Sequence, residues 1–244
     1  MSHSFQIAKE FEFDASPEQV WDAIATGPGI DAWFMGHSEV EPKEGGDVTF
    51  SLGDFTTVGT VTAWEPLKRF AYRSEEGPDG AFMAFDYLVE GRDGGTTVLR
   101  MVQSGVLDDN WEAEYDALEK GWNLYLHTIG EYIEHFDGRP SQTVDAHGAQ
   151  ADDEDKAWEL LKSGLGVTTT PKTGDTVHLP VADTDGVVDY VEEKAIIGVR
   201  TSDGLYRFSG RFGGMSLGHH IFAEQFDKAE AARAWQSWLT ELYA

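Results

Sequence analysis

The sequence predicts an α+β chain: an antiparallel meander closed by a long helix, followed by a shorter, degenerate α+β repeat of the same kind. Three observations predict this. An alternating strand at the N-terminal end runs straight into a helix-capping signal. Strand signals with turn punctuation then recur as far as residue 103. Finally, the apolar residues between positions 115 and 136 return at three- and four-residue steps.

Phe5, Ile7, Phe11 and Phe13 alternate with polar neighbours, interrupted only by Lys9, which predicts a half-buried strand. In Ser16-Pro17-Glu18-Gln19, Ser16 reads as an N-cap, Pro17 suits the first helical position, and Gln19 completes a capping box. Val20, Ala23 and Ile24 give that helix a buried face. Gly27-Pro28-Gly29 is expected to end it, with a short second helix over residues 30–34.

Strands follow around Val40, over 48–52, 57–64, 69–74, 81–90 and 96–103. Gly45-Gly46, Glu65-Pro66, Gly77-Pro78-Asp79-Gly80 and Asp93-Gly94-Gly95 mark the turns. Such short spacing favours an antiparallel meander. Tyr115, Leu118, Trp122, Leu126, Ile129, Ile133 and Phe136 form the apolar stripe of the closing helix, with Glu112, Asp116, Glu119, Glu131 and Glu134 on its wet face.

Residues 138–154 lack apolar periodicity and read as a linker between a domain at 1–137 and a second at 155–244. The second part echoes the first. Residues 155–161 resemble 19–24, residues 171–177 resemble 43–48, Gly186-Val187-Val188 resembles Gly59-Thr60-Val61, and residues 234–239 resemble 121–126. Four matches in one order predict an internal repeat that lacks the opening strand.

Eighteen basic against 44 acidic residues give a formal charge of -26, which disfavours nucleic acid and anionic membrane partners. Cysteine is absent, which excludes disulfides, zinc–thiolate sites and cysteine nucleophiles. The N-terminal residues lack a basic region followed by an apolar run, and no apolar stretch reaches membrane-span length. A cytoplasmic protein without membrane insertion is therefore expected.

Residues 4–137 resemble the SRPBCC superfamily, the START/Bet v 1-like helix-grip proteins, and within it the branch similar to the C-terminal domain of the activator of Hsp90 ATPase. The residues that carry the resemblance are 16–23 (SPEQVWDA), Trp33-Phe34, Gly45-Gly46 before a strand, and Gly59-Thr60-Val61 with Glu65-Pro66 and Arg69. Residues 97–105 (TVLRMVQSG) and Gly121-Trp122 complete the set. Where members often carry a histidine within the segment matching residues 101–105, this chain has Gln103. The resemblance implies a curved sheet wrapped around the long helix with a cavity between them. It implies no Hsp90-type chaperone partner, because the co-chaperone's Hsp90-binding domain is a separate one.

The alternation then suggests the lining of that cavity. Phe50, Tyr72, Phe85, Tyr87, Met101 and Gln103 would face it from the sheet, and Tyr115, Leu118, Trp122 and Leu126 from the helix, with Trp33 and Phe34 near the entrance. Taken singly, each apolar residue reads first as plain core. Gln103 differs, because a polar group among apolar ones needs a partner, either backbone or ligand.

No nucleophile elbow, phosphate loop or dinucleotide fingerprint is present. The acidic run Asp108-Asp109, Glu112, Glu114 and Asp116 is accounted for by the helix N-terminus. His219-His220 would point to opposite faces of a strand, and no metal site or cofactor is expected. Gly210–Gly218 lacks the lysine of a phosphate loop and reads as a turn or bulge.

The leading expectation is non-enzymatic binding of a small hydrophobic molecule. A polyketide cyclase- or aromatase-like enzyme and a chaperone-associated protein-binding module are the rivals. Trp235 and Trp238, three apart on the last helix, are expected to pack on the second sheet; a homodimer or packing between the two domains is the other use of that face.

Overall fold

A computed structural model describes residues 3–77, 80–107, 111–150, 153–210 and 214–242. The chain forms two compact units, Met1–Pro140 and Ser141–Ala244. Among the described residues, no helix is long and apolar enough to cross a membrane.

The first unit runs β1 (His3–Phe13), α1 (Pro17–Ala25), α2 (Gly27–Asp31), β2 (His37–Val40), β3 (Asp47–Leu52), β4 (Phe55–Glu65), β5 (Arg69–Ser74), β6 (Phe82–Gly91), β7 (Thr97–Leu107) and α3 (Trp111–Phe136). Its seven-stranded sheet has the order β1-β7-β6-β5-β4-β3-β2 with antiparallel neighbours, so the first strand pairs with the last. This is a helix-grip fold. Pro78 and Asp79 of the expected turn, and Asp108 and Asp109 of the acidic run, lie outside the described residues.

Local chemistry fixes the entry to the fold. The Ser16 hydroxyl accepts from the Gln19 N–H at 3.3 Å while Gln19 Oε1 accepts from the Ser16 N–H at 3.0 Å, closing the capping box. The glycine-proline break differs from expectation: it opens α2 as well as ending α1. Thr26 is extended, and its Oγ1 accepts from the Gly29 N–H at 3.0 Å, so the second helix begins at Gly27 instead of Ile30.

β7 buries every second residue from Thr97 to Leu107, and Trp122, Leu126, Ile129, Ile133 and Phe136 of α3 are buried opposite the sheet. Lys9, the break in the β1 alternation, reaches α3 and binds Glu119 at 2.6 Å and Asn123 at 3.0 Å. This half-exposed ion pair adds at most about 1 kcal/mol to the helix–sheet contact.

The second unit runs β8 (Gln142–Gln150), α4 (Glu154–Gly164), β9 (Thr176–Leu179), β10 (Thr184–Glu192), β11 (Ile196–Arg200), β12 (Gly204–Ser209), β13 (Gly214–Ile221) and α5 (Lys228–Leu242). Its sheet order is β8-β13-β12-β11-β10-β9. Two expectations are corrected here. The segment read as a linker contains a strand, and the repeat does possess its opening strand, because β8 pairs with β13 as β1 pairs with β7.

The composition hid β8. Among its described side chains, Val144 and Ala146 are the apolar residues that turn inward and are buried, so the alternation is too small to read. The strand is held by its ladder to β13 and by the Gln236 amide of α5. That amide donates to the His147 carbonyl at 2.8 Å and accepts from the His147 N–H at 3.2 Å.

The repeat extends to hydrogen-bond detail. Gly45 N–H donates to the Val61 carbonyl at 2.9 Å, and Val61 N–H donates back to Gly46 at 2.8 Å; Gly174, Val188 and Asp175 repeat these bonds at 2.9 and 2.8 Å. The register of β4 slips just after Val61 and that of β10 just after Val188. Across the first sheet the register links Val61, Tyr72, Phe85, Gln103 and Ile7; across the second it links Val188, Val199, Tyr206, His219 and Val144. Gln103 and His219 thus hold equivalent positions. β2 has no counterpart among the described residues of the copy.

Of the glycine-rich stretch, residues 211–213 lie outside the described residues, and the β13–β8 register shifts between Gly214 and Ser216. Trp235 and Trp238 pack edge to face at 5.3 Å, and each contacts Phe208 of the second sheet.

Candidate ligand cavity

A cavity of about 600 Å³ lies between the sheet and the helices of the first unit. Of the residues expected to line it, Trp33, Phe34, Phe50, Tyr72, Phe85, Tyr87, Gln103, Leu118 and Trp122 do so, while Met101, Tyr115 and Leu126 do not.

One hydrogen bond explains two of the exceptions. The Trp122 indole N–H donates to Gln103 Oε1 at 2.6 Å, joining helix to sheet. Met101 and Leu126, two residues along β7 and one helical turn along α3, lie beyond this bridge in packed core, 0% and 4% exposed. Tyr115 instead meets Phe5 of β1 edge to face at 6.4 Å.

The aromatic lining is ordered. Tyr72 and Phe85 stack at 4.8 Å, and Phe85 lies nearly parallel to Tyr87 at 6.4 Å, so the strand wall is faced with rings. Phe34 lies nearly parallel to Trp122 on the other side, at 6.4 Å and 14°. Trp33 is not at the entrance. It is 2% exposed, and its indole N–H donates to the Ala23 carbonyl at 2.9 Å, which ties α2 to α1.

Polar side chains in the lining include Ser38, Thr57 and Ser74, and, on the inner sheet wall, Tyr72, Tyr87 and Gln103. The hydroxyls of Tyr72 and Tyr87 bond each other, and burial pushes both phenols above their ordinary pKa, so they remain neutral. Gln103 is 2% exposed. An indole N–H can only donate, so the Trp122 bond fixes which way the amide points: Oε1 faces the indole and Nε2 faces away from it. Nε2 donates to Met83 Sδ at 3.6 Å, and a thioether is a weak acceptor.

Sequence reasoning missed several lining residues. Leu107 was within reach of strand alternation, lying in step with Gln103 along β7, as Met83, which alternation does indicate, lies in step with Phe85. Ile24 belongs to a helix face assigned to core, and Ile30 to the short second helix, for which no buried face was read. Phe55 lines the cavity yet is 61% exposed, at the tip of the β3–β4 hairpin. With Glu75 and Glu114, both exposed and both in the lining, it marks the mouth, where that hairpin, the end of β5 and the first turn of α3 converge. Those three come together only through the tertiary fold.

A curved antiparallel sheet closed on a long helix around an apolar cavity defines a ligand-binding fold of the SRPBCC type. Residues 14–134 match the family described as Activator of Hsp90 ATPase homolog 1-like protein, and the first unit belongs to this family.

Solved structures resemble the chain at low identity. Protein MLL2253 from Mesorhizobium loti is 22% identical over 55% of this chain and 99% of its own, with a TM-score of 0.48. The Aha1 dimer from Colwellia psychrerythraea is 18% identical over 53% and 96%, with a TM-score of 0.45. DynU16, a putative protein in the dynemicin biosynthetic locus, is 16% identical over 98% and 96%, with a TM-score of 0.46. None of the curated proteins matches the chain.

Proposed function

We propose that the first unit binds a small hydrophobic molecule in this cavity, with an acceptor oxygen of the ligand at Gln103 Nε2. The observation that carries the reading is a buried amide donor whose partner is a thioether, at the inner end of a ring-lined space of about 600 Å³. Each 100 Å² of apolar ligand surface buried there contributes roughly 2.5 kcal/mol before the costs of association. The amide then sets orientation, since a buried donor left without a good acceptor is penalised.

Native mass spectrometry of the protein from its own host tests this. A discrete added mass, released on denaturation, is expected. A bare protein that also takes up nothing from a hydrophobic metabolite library would overturn the reading.

A further inference from the structure

We propose that the cavity selects hydrophobic molecules bearing a cationic amine at the mouth and an acceptor oxygen at the inner end, and discriminates against carboxylate-ended ones. This rests on the binding reading above. Among the described lining residues, the ionisable side chains apart from the two tyrosines are Glu75 and Glu114, and none is lysine, arginine or histidine.

The two glutamates come from opposite walls. Glu75 follows β5, and Glu114 lies in the first turn of α3. The positive end of the helix dipole, roughly half a charge, works in favour of an anion there. Glu112 and Glu114 in the same turn outweigh it.

Arg73, at the same end of the sheet, is not available to an anion. It binds Glu76 at 2.6 Å, and its guanidinium carbon lies 3.9 Å from the ring centroid of Phe82. Phe82 also lines the cavity, so this ring already holds a cation by its π face, and Phe55 offers another ring at the opening. The formal charge of -26 adds a field that concentrates cations at the mouth. A carboxylate would sit either between the glutamates or beside Gln103, where no cation among the described lining residues compensates its desolvation.

Three probes sharing one ring system test the inference on the full chain: anthracene methylamine, anthracene methanol and anthracene carboxylate, titrated by quenching of tryptophan fluorescence. Amine above alcohol above carboxylate is expected. The amine should bind roughly tenfold tighter than the carboxylate at low salt, and the ratio should shrink as salt screens the mouth. The pair Glu75→Gln with Glu114→Gln should bring that ratio toward one. A carboxylate that binds as tightly as the amine overturns the selection while leaving cavity binding intact; binding by none of the three overturns both.

Discussion

The indole N–H of Trp122 donates to Gln103 Oε1 at 2.6 Å, and this bond marks where the cavity stops and the packed core begins. At the register-equivalent place in the second unit, His219 meets the ring of Trp235 edge to face at 4.7 Å. There the Trp235 ring contacts those of Tyr206, Phe208 and Trp238, Phe208 also contacts Trp238, and these rings fill the interior. One strand register therefore supports two interiors. In the first, rings line a space; in the second, they occupy it.

Replacing Gln103 by leucine removes the acceptor for a buried indole N–H. The expected cost is about 1–3 kcal/mol in denaturant unfolding, because the buried donor loses its partner. Gln103→Glu keeps an acceptor for the indole and removes the amide donor. If that donor orients the ligand, both variants lose affinity for oxygen-bearing molecules and keep it for a plain hydrocarbon of the same shape. Equal losses for the two ligand kinds would mean that Gln103 serves packing alone.

His219 gives the second unit a pH dependence. Its Nδ1 accepts from the Arg207 N–H at 3.2 Å, and its Nε2 is buried without a hydrogen-bond partner. Burial, aided by His220 and Arg207, holds its pKa well below the ordinary 6.5. The unfolded chain therefore takes up a proton at this residue as pH falls through about 6.5, while the folded chain does not. Its contribution is flat above that range and is lost below it, by about 1.4 kcal/mol per pH unit. His219→Gln, which restores the residue type of the first unit, should remove that part of the slope. Urea titrations of both proteins between pH 7.5 and 5.5, roughly the window of a free imidazole, provide the check; parallel slopes would contradict the assignment.

Thr57 lies on β4 in the cavity lining and is half-buried. Thr57→Trp places a large ring into existing space at a position where strands favour aromatics, so stability should change by less than about 1.5 kcal/mol. Uptake of a hydrophobic probe should be lost. A variant that folds and still binds as the parent does would place the ligand elsewhere.

Much of this fold is visible in the chain because the chemistry is local. The capping box needs only Ser16, Pro17 and Gln19, and the stripe from Leu118 to Phe136 needs only helical spacing. β8 was invisible because two small inward residues and a glycine make no periodic signal, and its stability comes from β13 and Gln236, more than 60 residues away. The site divides in the same way. Alternation indicated Phe85, Tyr87 and Gln103, but it cannot say where along a strand a cavity ends. That depends on Trp122 reaching across from α3, which also excludes Met101 and Leu126. Glu75, Glu114 and Phe55 meet at the mouth through contacts between elements, and spacing does not encode them.

The matched turns supply a test of the repeat that does not depend on any ligand. Gly45 has a φ of 76° and Gly174 a φ of 95°, and a Cβ added at either would meet nothing within 4 Å. Substitution there is therefore opposed by backbone conformation and not by crowding. Gly45→Ala and Gly174→Ala should each destabilise by about 1–2 kcal/mol, and the asparagine variants by less, since asparagine tolerates the left-handed region better. Gly59 is the contrast. Its φ is not positive, but a Cβ there would stand 2.7 Å from the Arg73 carbonyl oxygen in the adjoining strand, so alanine and asparagine should be comparably damaging. Denaturant midpoints for the six variants separate the two causes. An asparagine that rescues position 59, or fails to rescue 45 and 174, would show that strain and contact have been assigned to the wrong glycines.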